Sequence, residues 1–443
     1  MTRNVLAVLY QYPPDNCVGA QSSAQICRYL PDHGWNVSVL TVRRPNSDSD
    51  PNVIRTRAIP HVLDIYKKLK PRRTNVAKSN DTNSGQDAIT LRRRILTLLE
   101  IPDTYTGWIL PAVCSGLAAI RKRNIDVVFS SGPWWTNHLV AMVLSRVTGL
   151  PWIAHFRDTW AQGFFVKPTT PLSLRIERAL EKAVVRNATA VVSVTSAQTE
   201  MLRSAYCDLP VEKFATISNG YDEREWCDVT AERCEEFTVT YAGNFYHGRS
   251  PYPLFKAVRA LLDRHRIAVR IELLGVCDTA EGKPVIDVAR EYGIAEYVSM
   301  PGVLDRQEAI RRMKAASVLL LLVDEQNYSI PGKTYEYLRA GRPILALTTG
   351  GAVVDVLKST GGSWTIDPSD IAGIEAALLQ AYAASANGSD ARVPNPAVVR
   401  TFDRRVLTGD LAQIFAAAAA QMRASTALTM RPAARPSHSS GTR

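Results

Sequence analysis

No cysteine in this 443-residue chain is spaced for a partner. The seven (Cys17, Cys27, Cys114, Cys207, Cys227, Cys234 and Cys277) are odd in number, scattered, and never form a C-x-x-C pair. Neither a disulfide framework nor a zinc site fits that pattern, and a reducing cytosol does. No run of 18 apolar residues occurs, so no membrane-spanning helix is expected. The opening MTRNVLAVLY has one arginine and an apolar run too short for a signal peptide, so a cytoplasmic protein is expected. The Gly-x-Gly-x-x-Gly fingerprint is missing too. Only Gly19 occupies the first strand-to-helix loop, which weakens the case for a nicotinamide or flavin enzyme. Acidic residues are in deficit, 42 against 53 basic ones, and the resulting +11 implies attraction to something acidic: a nucleotide diphosphate, an anionic lipid surface or a nucleic acid. Stacking aromatics are scarce in the basic run from Lys67 to Arg94, only Tyr66 being near, so nucleic acid is not expected as a partner.

What is present is an alternation of short apolar runs and helical patterns long enough for two domains. Strands are expected at about 4–10, 37–42, 126–129, 151–156, 188–194 and 214–217, with helices between several of them. A second set begins with FTVTYA at 237–242 and continues through 271–274, 298–300 and 318–323. The expected organisation is an N-terminal domain over 1–222 carrying a basic insertion at about 61–105. A charged linker at 223–236, a C-terminal domain at 237–397, a last helix at 398–422 and a disordered tail at 423–443 complete it. The basic insertion, with Arg92 to Arg94 beside Leu91, Ile95 and Leu96, reads either as a peripheral surface for anionic membrane or as a solvated loop with an ordinary amphipathic helix. Asp48-Ser49-Asp50 has the D-x-D form of some metal-dependent enzymes but lies in an Asn/Ser/Pro loop and reads as solvated.

The chain is organised around YSIPGKTYEYLRAGRPILAL, residues 328–347. It follows VLLLLV at 318–323, an apolar run suited to a strand buried on both faces of a parallel sheet. Pro331 suits a first helical turn, and Gly341 followed by Pro343 stops the helix, which is expected over about 332–340. A helix starting at a strand's carboxyl end points free N–H groups and roughly half a positive charge at any ligand there. Lys333 in the first turn opposes the helix dipole, so an anionic ligand explains it better than helix stability does. Glu336, one turn on, is an acceptor for a ribose diol.

This stretch resembles the nucleotide-binding helix of family 4 glycosyltransferases with the GT-B fold. In that family one Glu, holding the donor sugar, sits eight positions before a second that holds the ribose. Glu336, Tyr337, Leu338, Gly341 and Pro343 match the second half, whereas position 328 is Tyr; Asp324 and Glu325 are candidates for the missing role. The Ser-Ile-Pro-Gly-Lys variant is similar to a subgroup acting on surface polysaccharides, and puts Ser329, Pro331 and Gly332 beside Lys333 among the donor-binding residues. HFRDTW, residues 155–160, resembles an RDxW segment at the place where other members carry a His facing the donor sugar. The resemblance makes Asp158 a candidate to orient the acceptor hydroxyl or take its proton, and Arg157 a partner for Asp158 or for an acceptor phosphate. His155 is the alternative. GNFYHGRS, residues 243–250, resembles the loop where a Gly-Arg pair grips the diphosphate. Asn244 replaces that Arg, so Arg249 is assigned to the phosphates together with Lys333. Gly302 stands where the family binds the nucleobase through its backbone, and Gly19 where the backbone approaches the diphosphate and the acceptor.

The resemblance implies an α/β GT-B protein, two Rossmann-like domains facing across a cleft, with a C-terminal helix crossing back to the N-terminal domain. It also implies a retaining hexosyltransferase with a nucleotide-sugar co-substrate, a glycan or lipid-linked acceptor, no cofactor and no metal. A sugar-nucleotide 2-epimerase of the same architecture and a non-catalytic nucleotide-sugar-binding protein stay open as alternatives.

Overall fold

The computed structural model describes residues 2–45, 47, 49–60, 98, 100–162, 170–245, 249–323 and 328–429. Most of the basic insertion, Asp48, Asp324 and Glu325 lie outside the described residues. By its contacts the chain forms two units. The first is Met1–Val192 with Asp208–Ala215 and Gly409–Arg443; the second is Ser193–Cys207 with Thr216–Thr408.

The first unit is built on a seven-stranded sheet: β1 (Arg3–Val8), β2 (Trp35–Val42), β3 (Val53–Thr56), β4 (Val127–Gly132), β5 (Trp152–Phe156), β6 (Ala190–Ser193) and β7 (Phe214–Thr216). Their spatial order is β3-β2-β1-β4-β5-β6-β7, and the pairs from β3 to β5 are parallel. Successive strands run outward from β1 to β3, and the chain then returns to place β4 on the other side of β1. That reversal is the topological switch point, outside whose carboxyl ends doubly wound sheets bind ligands. The continuous apolar runs of β1 and β4 are fully withdrawn from solvent, as a sheet covered on both faces requires. The last helix, Arg404–Thr429, enters the first unit at Gly409. Its Phe415 is fully buried, sets its ring edge-on against Trp35, 5.4 Å between centroids, and packs tilted against Phe129.

The second unit repeats the arrangement with β8 (Thr238–Ala242), β9 (Arg270–Leu274), β12 (Val298–Gly302), β13 (Val318–Leu322), β14 (Ile344–Leu347) and β15 (Ser363–Ile366). A two-strand hairpin, β10 (Thr279–Ala280) and β11 (Lys283–Pro284), hangs off the chain after β9. The order is β12-β9-β8-β13-β14-β15 with every neighbouring pair parallel, so its switch point lies at β8 and β13.

Two readings need correcting. The charged stretch at 223–236 is no free linker: Trp226 is fully buried and Val229 nearly so, packed in one cluster with Met313, Tyr335 and Leu338. Burying side chains of that size is worth on the order of 3 kcal/mol each, which a polar composition average conceals. Strand β3 and the helix Ile109–Arg123 also escaped notice. β3 is a four-residue edge strand beside a polar loop, and the helix carries its apolar residues amid Cys, Ser and Gly.

Candidate functional site

In the second unit the helix Lys333–Ala340 follows β13, with Gly332 as its N-cap and Gly341 closing it in the left-handed region. Pro331 stands one residue before the cap, outside the first turn where its sequence signal put it. Its carbonyl accepts from the Thr334 amide at 2.9 Å, and that of Gly332 accepts from Tyr335 at 3.2 Å. The amides of Gly332 and Lys333 have no acceptor among the described residues. Tyr335, Tyr337 and Leu338 bury the inner face, and the Tyr337 hydroxyl accepts from the Ala242 amide at 2.7 Å, pinning the helix to the end of β8. Lys333 and Glu336 are left on the other side.

Lys333 turns toward β8. Its Nζ lies 3.9 Å from the centroid of the Tyr241 ring, and a Cβ added to Gly243 would stand 2.2 Å from it. Gly243, at φ 141°, is thus required twice over, by its backbone and by the ammonium passing against it. The ammonium is buried and has no hydrogen-bond partner among the described residues. Burial is the main reason its pKa falls to about 7, and the nearby Arg249 guanidinium, itself buried, pushes it further down. Two cations in one desolvated corner repel each other and cost free energy, and a bound anion reverses both terms.

The remaining donor-site candidates line the same sheet edge. Asn244 does not offer its side chain: Oδ1 accepts from the Val276 amide at 2.9 Å and the Asn244 carbonyl accepts from the Tyr241 hydroxyl at 2.9 Å, tying together the loops after β8 and β9. Gly302 ends β12, its carbonyl accepting from the Gly275 amide at 2.8 Å, with Val303 beside it 76% exposed. Ser329 is half-buried in the loop before the helix. Tyr328 presents no carboxylate; its carbonyl accepts from Thr195 Oγ1 at 2.7 Å. Glu336 is partly exposed and accepts from Arg306 Nη2 at 2.7 Å. Gly243 was read from sequence only as the glycine of the GNFYHGRS loop, without its contact to Lys333, and Arg306 was not recognised. Glycines closing β12 and the strands before Gly243 and Gly275 were a visible signal for the first; nothing local marks the second.

In the first unit the candidates separate. Arg157, expected beside Asp158 or an acceptor phosphate, gives its hydrogen bonds to backbone carbonyls while its charge acts on Asp158. Nε donates to Gly132 at 3.2 Å, Nη1 to Gly19 at 3.0 Å and Nη2 to Pro133 at 2.7 Å. It therefore closes the crevice at the β1–β4 switch point. Gly19 is needed there because a Cβ would stand 2.9 Å from Arg157 Nη2, and its carbonyl serves Arg157. His155 is a core residue, bonded through Nδ1 to Ser131 Oγ at 3.0 Å and stacked on Phe129. Asp158 is half-buried. Burial raises its pKa and the Arg157 charge pulls it back. Its segment is held on the far side by the helix Pro171–Asn187: Trp160 Nε1 donates to Glu177 and the Ala161 amide donates to Glu181 at 2.7 Å. Trp135 lies flat on Trp160 at 4.8 Å, a packing role for one of the two adjacent tryptophans. Among the described residues no three His, Cys, Asp or Glu side chains group as a metal cage, and no helix is long and apolar enough to cross a membrane.

Residues 19–220 match a family model described as Glycosyl transferase 4-like domain, and residues 236–384 match one described as Glycosyl transferases group 1. No curated protein matches the sequence. Among solved structures, a glycosyltransferase from Rickettsia africae superposes with a TM-score of 0.60 at 13% identity, covering 94% of this chain and 98% of its own. The Anabaena protein Alr3699/HepE, in complex with UDP and glucose, gives 0.59 at 12% identity over 94% and 100%. A sucrose-phosphate synthase from Thermosynechococcus elongatus gives 0.57 at 15% identity over 97% and 99%. With two nucleotide-fold sheets of one strand order and both domain families in sequence, the chain belongs to the family-4-like glycosyltransferases of the GT-B fold.

Proposed function

We propose that the protein transfers a sugar from a nucleotide-sugar donor, held at the carboxyl edge of the second sheet, to a glycan or lipid-linked acceptor. The observation that carries this reading is the buried Lys333 ammonium, unpartnered among the described residues, pressed against Gly243 at a switch point and next to Arg249. Departure of a nucleoside diphosphate builds negative charge on the β-phosphate, and basic groups already positioned there stabilise it. Lys333, Arg249 and the Gly332 amide supply that charge complement, Glu336 takes the ribose, and the backbone of Gly302 lies against the base. One neighbour points the same way, since HepE was solved with UDP and with UDP-glucose. Asp158 is the acceptor-side carboxylate in this reading, kept in place by the ties on Arg157, Trp160 and Ala161.

The resemblance of the Ser-Ile-Pro-Gly-Lys segment favours a surface-polysaccharide acceptor, retention of configuration and chemistry without a metal or cofactor. The basic run at 61–105 favours a cytoplasmic enzyme working against an anionic membrane face, where each Lys or Arg contributes about 1 kcal/mol. The test is a binding titration of UDP, GDP, ADP and TDP on wild-type and K333E protein, followed by turnover of the sugar nucleotide matching the tightest binder. One diphosphate binding to wild type and at least 100-fold more weakly to K333E is the expected result. Equal binding to both proteins, or to neither, sinks the proposal. Epimerised donor in the absence of acceptor, or binding with no turnover on any acceptor, replaces the transfer step with one of the alternatives.

A further inference from the structure

Glu336 is the only carboxylate on the ligand side of helix Lys333–Ala340, and it does not stand alone. Its Oε1 accepts from Arg306 Nη2 at 2.7 Å, and Arg306 Nε donates to Glu225 Oε2 at 2.7 Å. Both acids raise the Arg306 pKa against the lowering effect of its own burial, so the guanidinium stays charged. Each end of this bridge is anchored. Arg306 opens the helix Arg306–Ala315, whose N-cap Asp305 accepts from the Glu308 amide at 2.9 Å. Glu225 closes the turn Glu223–Glu225, which Asp222 caps through the Arg224 amide and which Trp226 roots in the core. One turn along the ligand helix, Arg339 makes a two-pronged ion pair to Glu223 of the same turn.

We infer that Arg306 is a positioning residue: it fixes one oxygen of Glu336 so that the other faces the ribose diol of the nucleotide. This rests on the reading of the site given above. A glutamate has three rotatable side-chain torsions, and a carboxylate that must accept from two adjacent hydroxyls gains affinity when those torsions are set before binding. Arg306 supplies the constraint through a charge-assisted hydrogen bond to one oxygen, leaving the second oxygen's lone pairs for the ligand. Glu225 keeps the guanidinium from swinging out to solvent, as a side chain 44% exposed otherwise would.

The readout is the ratio of affinities for a ribonucleoside diphosphate and its 2′-deoxy counterpart, UDP with dUDP and likewise for ADP and GDP, measured on wild type, E336Q, R306A and R306K. A merely structural ion pair would not move this ratio. Wild type is expected to favour the ribonucleotide, E336Q to lose the preference, and R306A to lower it roughly tenfold, the size of a coupling between groups in one hydrogen-bond network. R306K, which keeps a charge but not the fork, should fall between. The melting temperature of R306A should stay near that of wild type, because the residue is largely at the surface. A ribose preference that needs Glu336 but survives in R306A overturns this inference alone. A preference that strengthens in R306A also overturns it, showing that Arg306 competes with the ribose. Wild-type protein that binds none of the diphosphates brings down the site reading and the inference together.

Discussion

Lys333 should announce its ligand by taking up a proton. In the free protein its pKa lies at about 7, chiefly through burial and secondarily through Arg249, so at pH 8 roughly nine-tenths of the molecules carry a neutral amine. A diphosphate titrates near about 6 and is fully charged at that pH. Its binding restores the ammonium, so about 0.9 proton should enter per complex at pH 8. The linked affinity falls as pH rises through 7, by roughly 50-fold between pH 7 and 9 if the bound pKa returns to the ordinary lysine range. Isothermal titration of the wild type at pH 8, in two buffers of different ionisation enthalpy, gives the proton count directly, and K333M should bind weakly with no uptake. The same shift sets the stability of the free protein. Between pH 7 and 10.5 the unfolded chain holds a proton that the folded one lacks, so stability should rise with pH, at up to about 1.4 kcal/mol per unit. Binding with no proton uptake and one affinity from pH 7 to 9 would refute the reasoning, because the ammonium would then be charged before the ligand arrives.

Gly243 admits no side chain: G243A should lose about 1–3 kcal/mol in urea unfolding from its left-handed backbone and the Lys333 contact, and should weaken nucleotide binding in the same titration. R157K, whose single nitrogen cannot stand at the three places that Nε, Nη1 and Nη2 occupy, is expected to cost about 2–4 kcal/mol, and G19A should lower the melting temperature by pushing a Cβ into the same guanidinium; unchanged melting in both would remove Arg157 from its closing role. Burial raises the Glu177 pKa to about 7, against the hydrogen bond from Trp160 that lowers it. The folded state therefore holds a proton that the unfolded state releases near 4.5, and this residue's contribution should fall as pH rises from 4.5 to 7. E177Q, which can still accept from Trp160, should flatten that slope in denaturation followed by tryptophan fluorescence.

The two sheets have one strand order, yet their switch points are filled in opposite ways, and this difference marks the limit of what could be read from sequence. Periodic apolar runs and the Gly341–Pro343 stop were enough for the strands and for the ligand helix, because burial on both faces of a parallel sheet leaves little choice of residue. Lys333 stood out in the sequence for a related reason: a cation in a first helical turn is a local conflict that helix stability does not explain. What escaped were contacts fixed by tertiary approach. In the first unit the helix Thr136–Thr148 after β4 is capped by Asp103, whose carboxylate accepts from the Thr136 amide at 2.9 Å and its hydroxyl at 2.6 Å, and Arg157 occupies the crevice beside it. Asp103 lies 33 residues from its partner and Gly19 lies 138 from Arg157, so no window along the chain contains either pair. In the second unit the matching helix has no side-chain cap, and the cation at its tip, Lys333, is buried without a bond among the described residues. The first switch point spends its donors on the protein's own carbonyls, whereas the second keeps a buried lysine nitrogen without a hydrogen-bond partner among the described residues. Under the proposed function the same fold keeps one crevice as scaffold and leaves the other for the nucleotide.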